Sequence, residues 1–168
     1  MFPIRAMYLE AINKAERNVW LTHAYFIPDE NFIETLTDAA GRGVDVRIIV
    51  PAKSNHIVVD WISRGYFSTL LEAGVRIHRF SDAMVHAKTA TVDGSWSTIG
   101  TANVDRLSMT GNYEINLEVI DTGVAAEMER IFRTDLANCY ELRLDEWRSR
   151  DVYRRFTEAL LNPLRHLL

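Results

Sequence analysis

Between Val85 and Asn103 the chain reads V-H-A-K-T-A-T-V-D-G-S-W-S-T-I-G-T-A-N, and it carries five side chains able to act on a phosphate ester. A neutral imidazole, His86, is a competent nucleophile or general acid near neutral pH. Lys88 supplies a compact positive charge, while the Thr101 hydroxyl and the Asn103 amide offer hydrogen-bond donors to non-bridging oxygens. Asp93 precedes Gly94, a pairing that forms tight turns. No carboxylate cluster suited to Mg²⁺ accompanies these groups, so no metal or other cofactor is expected, and the cation and donors would take a metal's role.

These residues need a scaffold that brings them together. Val85 to Val92 alternates as a strand does, and side chains two apart on a strand share a face, which pairs His86 with Lys88. Asp93-Gly94 reads as a hairpin turn and Trp96 to Ile99 as the returning strand. Gly100 is expected to let the backbone approach a ligand, and Thr101 and Asn103 again share a face. By that spacing Asp93 belongs to the other strand face, which favours a turn-forming role over a chemical one.

The pattern H-x-K-x4-D followed by G-[S/T]-x-N resembles the HKD signature of the phospholipase D superfamily, here His86, Lys88, Asp93, Gly100, Thr101 and Asn103, with Thr where Ser is commoner. N-Y-E-I-N-L-E, Asn112 to Glu118, resembles the family's downstream acidic segment and puts Glu114 at the carboxylate position. The flanks A-Y-F-I-P-D-E, R-G-V-D-V-R-I-I-V-P, L-L-E-A-G-V-R-I and T-A-N-V-D-R-L-S are similar to the C-terminal half of bacterial cardiolipin synthases. The resemblance implies catalytic roles for His86, Lys88, Asp93 and Glu114 and phosphate binding by Lys88, Thr101 and Asn103. It also implies that Glu114 accepts the His86 Nδ1 proton. Tyr25, His56 and Asn116 are candidates to line the cleft, although packing is the plainer expectation for each.

Such sites use two motifs. One histidine attacks phosphorus to give a phosphatidyl-histidine; the other protonates the departing alcohol and then deprotonates the acceptor. The resemblance therefore implies phosphatidylglycerol as substrate and a second HKD half as partner, supplied by an upstream half of the same polypeptide or by a homodimer mate. A fragment or truncated frame is the expectation favoured by the match to a second half. The alternatives are a homodimeric single-motif phosphodiesterase or nuclease, and an inactive assembly partner.

Composition bounds these readings. The chain has 168 residues, 48% hydrophobic and 25% charged, which fits one globular domain over 1–168. A net charge of −4 disfavours nucleic-acid binding through a broad basic surface. One cysteine, Cys139, excludes an internal disulfide. No apolar run is long enough for a membrane span. The implied location is the bacterial cell membrane, with the chain bound peripherally to the membrane surface.

Alternating strand and helix patterns predict an α/β (α+β) fold, a mixed sheet with helices on both faces. Helices are expected over Ile4–Arg17, Asp29–Ala40, His56–Ala73, Thr122–Trp147 and Arg150–Leu161. Strands are expected over Val19–Phe26, Val44–Val50, Val75–Phe80 and Glu114–Ile120, besides the hairpin. The last helix, with Val152, Phe156, Ala159 and Leu160 opposite Arg148, Arg150, Arg154 and Arg155, is a candidate for anionic lipid, although ordinary packing is its plainer role. His23, His78 and His166 lack a motif and read as structural or surface residues; the four tryptophans read as core or interface.

Overall fold

The computed structural model describes residues 2–53, 62–81 and 83–150. Helix α1 (Pro3–Lys14) leads into β1 (Asn18–His23) and the two-residue β2 (Phe26–Ile27). Asp29 then caps α2 (Glu30–Gly41), its carboxylate accepting the Phe32 N–H, as an aspartate before a helical apolar pattern predicts. After β3 (Asp45–Pro51) come α3 (Phe67–Glu72) and β4 (Arg76–Phe80). The hairpin is β5 (Lys88–Val92) and β6 (Trp96–Gly100), followed by β7 (Val104–Asp105) and α4 (Arg106–Thr110). The remainder is β8 (Asn116–Ile120), α5 (Thr122–Leu136), β9 (Cys139–Glu141) and α6 (Leu144–Arg148).

Seven strands form one mixed sheet in the order β8-β6-β5-β1-β3-β4-β9. Strands β1, β3 and β4 run parallel and the other pairings are antiparallel. Central strand β1 is buried from Val19 to His23, and its alternate side chains feed two cores. Val19 and Leu21 join Tyr8, Ile12, Phe32, Leu36 and Leu70 under the helices α1, α2 and α3. On the other face Trp20 stacks on Phe132 of α5, ring centroids 5.0 Å apart, while Arg47 and Arg133 lie over the same indole. Helices therefore cover both faces, as the alternating pattern predicts.

Three expectations change. The strand expected over Val19–Phe26 ends at His23, and Phe26–Ile27 leave the main sheet to pair in parallel with Val104–Asp105. The helix expected over Thr122–Trp147 stops at Leu136. The chain turns through Ala137 and Asn138 so that Cys139–Glu141 can close the sheet edge against Phe80, Arg79 and His78. A three-residue strand carries too little periodicity to declare itself in sequence. Of the helix expected over His56–Ala73, the stretch 67–72 is seen as α3, and residues 56–61 lie outside the described residues. The expected Arg150–Leu161 helix likewise lies outside them beyond Arg150.

The hairpin turn shows what Asp93 does. Asp93 and Gly94 both take positive φ, 53° and 61°, the handedness that suits the twist of the flanking strands. The Asp93 carboxylate accepts three backbone N–H groups from the link between α1 and β1, those of Glu16, Arg17 and Asn18, at 2.8–2.9 Å. Burial pushes this carboxyl upward, but those three donors and the Arg17 guanidinium outweigh it and hold the group below its usual range. A depressed carboxylate contributes stability that is present above the unfolded-state value, about 3.9, and lost as pH falls through the folded-state value. Replacing Asp93 by asparagine should therefore destabilise the fold by about 1–3 kcal/mol at pH 7. In urea unfolding the gap between the two proteins should close as pH drops below 4; a constant gap would place the effect elsewhere.

Candidate functional site

The sheet register collects the motif at one end. His23, the last residue of β1, stands directly opposite Lys88, the first residue of β5. Thr89 pairs with Ile99 and Gly100 with Asn116, so the end of β6 and the start of β8 lie beside the start of β5. Thr101 and Asn103 follow β6, and Glu114 precedes β8. His86, Lys88, Thr101, Asn103 and Glu114 thus leave the same edge of the sheet. Asp93 does not join them: it lies five residue steps beyond Lys88, about 16 Å along β5. The structure leaves that member of the motif at the far end, tied to backbone.

His86 is exposed, whereas Lys88 is only 7% exposed. The Lys88 Nζ lies 3.2 Å from both ring nitrogens of His86 and donates to the His86 carbonyl at 3.0 Å. The ring of Tyr25 meets the imidazole edge-on, centroids 6.3 Å apart. An imidazole in this setting is open to a substrate on one side and held by a cation on another. Burial pulls the Lys88 ammonium below its usual range, and the Glu114 and Asp105 carboxylates pull it back up. A partly dehydrated cation acts more strongly on a nearby anion than one in water.

Asn103 and Tyr25 are locked together. The Asn103 Oδ1 accepts the Tyr25 N–H at 3.4 Å, just where β7 and β2 begin to pair. With its oxygen so occupied, the amide presents its NH₂ end as the donor to an anion. Thr101 and Glu114 make the other close pair. The Thr101 hydroxyl donates to Glu114 Oε2 at 2.5 Å, and Asn112 Nδ2 donates to Glu114 Oε1 at 3.4 Å. The Glu114 carboxylate therefore meets Thr101 and Asn112, where the family pattern leads one to expect the His86 ring.

Gly100 has a different reason from the one its position suggested. A Cβ there would fall 2.1 Å from Asn116 Oδ1 and 2.4 Å from the Ile115 carbonyl oxygen. The close approach is to strand β8, not to a ligand. It lets Thr101 N–H reach the Ile115 carbonyl at 2.9 Å and Ile115 N–H reach the Thr101 hydroxyl at 3.0 Å. Because one obstacle is backbone, Gly100→Ala must spread β6 from β8, at a cost of about 1–3 kcal/mol. The expected readout is a lower urea midpoint together with accelerated hydrogen exchange at the amides of Thr101 and Ile115; normal protection at both would show that the strands absorb the methyl group.

Sequence reasoning missed His23, Tyr8 and Thr98 as neighbours of the site. His23 is fully buried, with Tyr8 Oη 3.4 Å from its Nε2. Asn116, a candidate cleft residue, turns inward: its Nδ2 donates to Thr98 Oγ1 at 3.1 Å and its Oδ1 accepts the Ala102 N–H at 3.3 Å. Register alone decides which β1 residue faces Lys88, and no local pattern encodes it. His56 and His166 lie outside the described residues. Among the described residues no group of acidic, histidine or cysteine side chains could hold a metal, and no helix is long and apolar enough to cross a membrane.

Comparison with known proteins places this geometry among relatives. Residues 8–136 match a family model described as "Cardiolipin synthase, PLD-like domain". The chain is 35% identical over 165 residues to a cardiolipin synthase of Clostridium perfringens, covering 98% of this chain and 35% of that protein. It is 36% identical to cardiolipin synthase 2 of Bacillus anthracis, covering 96% of this chain and 32% of that protein. The chain thus spans about a third of the length of the curated relatives it matches. In fold it is similar to Nuc of Salmonella typhimurium, a phospholipase D family member, with TM-score 0.71 and 22% identity over 83% of this chain and 90% of that one. It is also similar to the phosphatidylserine synthase of Haemophilus influenzae, with TM-score 0.69 and 16% identity over 98% of this chain and 43% of that one.

Proposed function

The chain belongs to the cardiolipin synthase PLD-like domain family, and from that premise we propose that it supplies one half of a phosphatidyltransferase site acting on phosphatidylglycerol. The observation that carries this reading is the convergence of His86, Lys88, Thr101, Asn103 and Glu114 on one sheet edge, with the imidazole exposed and the lysine buried beside it.

In this reading one histidine of a pair attacks the phosphorus of phosphatidylglycerol. The bond to the glycerol headgroup breaks as the other histidine protonates the departing oxygen, leaving a phosphatidyl-histidine. The second histidine then takes the proton from an acceptor hydroxyl, whose oxygen attacks phosphorus and frees the first. A second phosphatidylglycerol as acceptor yields cardiolipin and glycerol; water yields phosphatidate. Lys88 and the Asn103 amide meet the negative charge that grows on the phosphoryl oxygens. Asp93 serves this chemistry indirectly, by fixing the far end of the strand that carries Lys88.

A single motif calls for a second HKD-bearing half. The surface next to the site suits one: β8 is an edge strand, and Ile99, directly opposite Leu117, lies exposed together with Leu117, Ile115 and Tyr113. Contiguous apolar surface of this kind marks an interaction site more often than solvated surface. A chain about a third as long as its relatives is consistent with that occupant. Headgroup contact would bring the chain to the face of the bacterial cell membrane as a peripheral protein.

Purified protein should be incubated with labelled phosphatidylglycerol in vesicles and, separately, with single-stranded DNA. Formation of cardiolipin or phosphatidate supports the phosphatidyltransferase reading. Cleavage of DNA would replace it with the homodimeric phosphodiesterase reading. Silence with both substrates would leave an assembly partner. Light scattering on the same sample separates a pair of identical chains from a chain that needs a different half.

A further inference from the structure

Behind the exposed motif lies a buried polar row that the chemistry above does not use. His23 has none of its surface exposed, and Lys88 beside it has 7%. Directly opposed residues of antiparallel strands project to one side with Cβ atoms about 5 Å apart, so the imidazole of His23 flanks the stem of Lys88. Its Nε2 lies 3.4 Å from Tyr8 Oη, and its Nδ1 has no hydrogen-bond partner among the described residues. The row continues from Tyr8 to Asn116, which holds Thr98 and the Ala102 N–H. One end therefore touches the strand bearing Lys88, and the other touches the segment bearing Thr101 and Asn103.

Such a row costs stability unless every member is satisfied, and a buried nitrogen left unpaired adds to that cost. A hydrocarbon side chain opposite Lys88 would avoid that cost. What hydrocarbon would not do is tolerate an ammonium group. We propose that His23, backed by Tyr8, is a positioning residue: its neutral polar ring keeps Lys88 protonated while burying its stem, and so directs the ammonium to the ring and carbonyl of His86. The function of that ammonium rests on the phosphoryl-transfer reading; its position and protonation do not.

The charges around Lys88 define the sign of the effect. Facing it are His86 on its own segment, Glu114 before β8, Asp105 of β7 and His23 of β1. Burial and the neighbouring Lys88 charge keep His23 neutral, pushing it down to about 3. A second positive charge at this place would repel the first, so only an uncharged polar group serves. Replacing His23 by phenylalanine takes away the ring's dipole and leaves the two carboxylates as the main support of the cation.

The test is the titration of the Lys88 side-chain nitrogen, followed by NMR in the full chain. In His23→Phe its midpoint should fall by about one pH unit, as dehydration without a polar neighbour disfavours the charged form. His23→Gln, which retains an uncharged polar group, should restore it to within about 0.3 unit of the natural protein. Tyr8→Phe, which removes one oxygen and little volume, should move it in the same direction as His23→Phe, by less. An unchanged midpoint in His23→Phe, or in Tyr8→Phe should the former not fold, overturns the proposal. So does a shift in His23→Gln as large as that in His23→Phe. Orthovanadate binding, measured alongside, reports on the phosphoryl site separately. If the natural protein binds that oxyanion no better than Lys88→Ala does, the site reading fails whatever the titration gives. If binding depends on Lys88 while His23→Phe changes neither midpoint nor affinity, only the role of His23 fails.

Discussion

Replacing His86 by alanine is expected to abolish the proposed phosphatidyl transfer while leaving the fold intact. The imidazole is exposed, it belongs to neither hydrophobic core, and its neighbour Lys88 keeps a bond to the residue 86 carbonyl after the ring is removed. Exposed substitutions of that kind change stability by less than about 0.5 kcal/mol. Loss of a covalent nucleophile, or of the acid that serves it, costs at least about 10⁴-fold in turnover, equivalent to roughly 5 kcal/mol or more of barrier. The contrast between those two numbers is what makes the substitution diagnostic. Thermal melting and urea unfolding should coincide with the natural protein, while cardiolipin and phosphatidate formation fall to background. Asparagine at the same position should be as inactive as alanine, since an amide neither attacks phosphorus nor carries a proton across neutral pH. Product formation by either variant would mean that a different group performs the chemistry.

How much of this arrangement was readable beforehand depended on distance along the chain. The hairpin from Lys88 to Gly100 was legible because everything that makes it is local: alternation on both strands and an Asp-Gly pair able to take positive φ. The Asp29 cap was legible for the same reason. Pairings across tens of residues were not. That the Asp93 carboxylate would collect the N–H groups of residues 16–18, that Gly100 would be pressed against Asn116, and that His23 would stand opposite Lys88 all follow from register between strands far apart in sequence. Family spacing leads one to expect Glu114 to take the His86 ring proton, whereas its hydrogen bond to Thr101 depends on how β8 lies against β6. Edge strand β9 escaped notice because three residues give a pattern no room to repeat.

Exchanging Lys88 for methionine is expected to lower turnover by about 10²–10³-fold, or roughly 3–4 kcal/mol, the usual cost of removing one preorganised electrostatic group from a transition state. The reason is the environment of the amine. In water a charge 4 Å from an anion contributes about 1 kcal/mol, and at the reduced effective dielectric of a partly buried site about 4. Lys88 is nearly buried, and burial lowers its proton affinity, with Glu114 and Asp105 acting in the opposite sense. Activity should consequently decline on the alkaline side as the ammonium loses its proton, at a pH below the ordinary lysine range of about 10.4. The sign for stability is opposite to that of a stabilising ion pair. A cation whose folded-state value is depressed makes the fold less stable at low pH, where the chain must be charged, and this deficit disappears as pH rises above the ordinary lysine value. Lys88→Met, uncharged and of similar length, should then be at least as stable as the natural protein at pH 7 while being nearly inactive. An arginine should not restore turnover, because a planar guanidinium cannot stand in the place where Nζ meets both the ring edge and the carbonyl of His86. A methionine variant that is no more stable and still active would show that the cation is neither strained by burial nor used in the reaction; one that is stabilised and inactive would show that the fold sustains an unfavourable charge at this position for the sake of the chemistry.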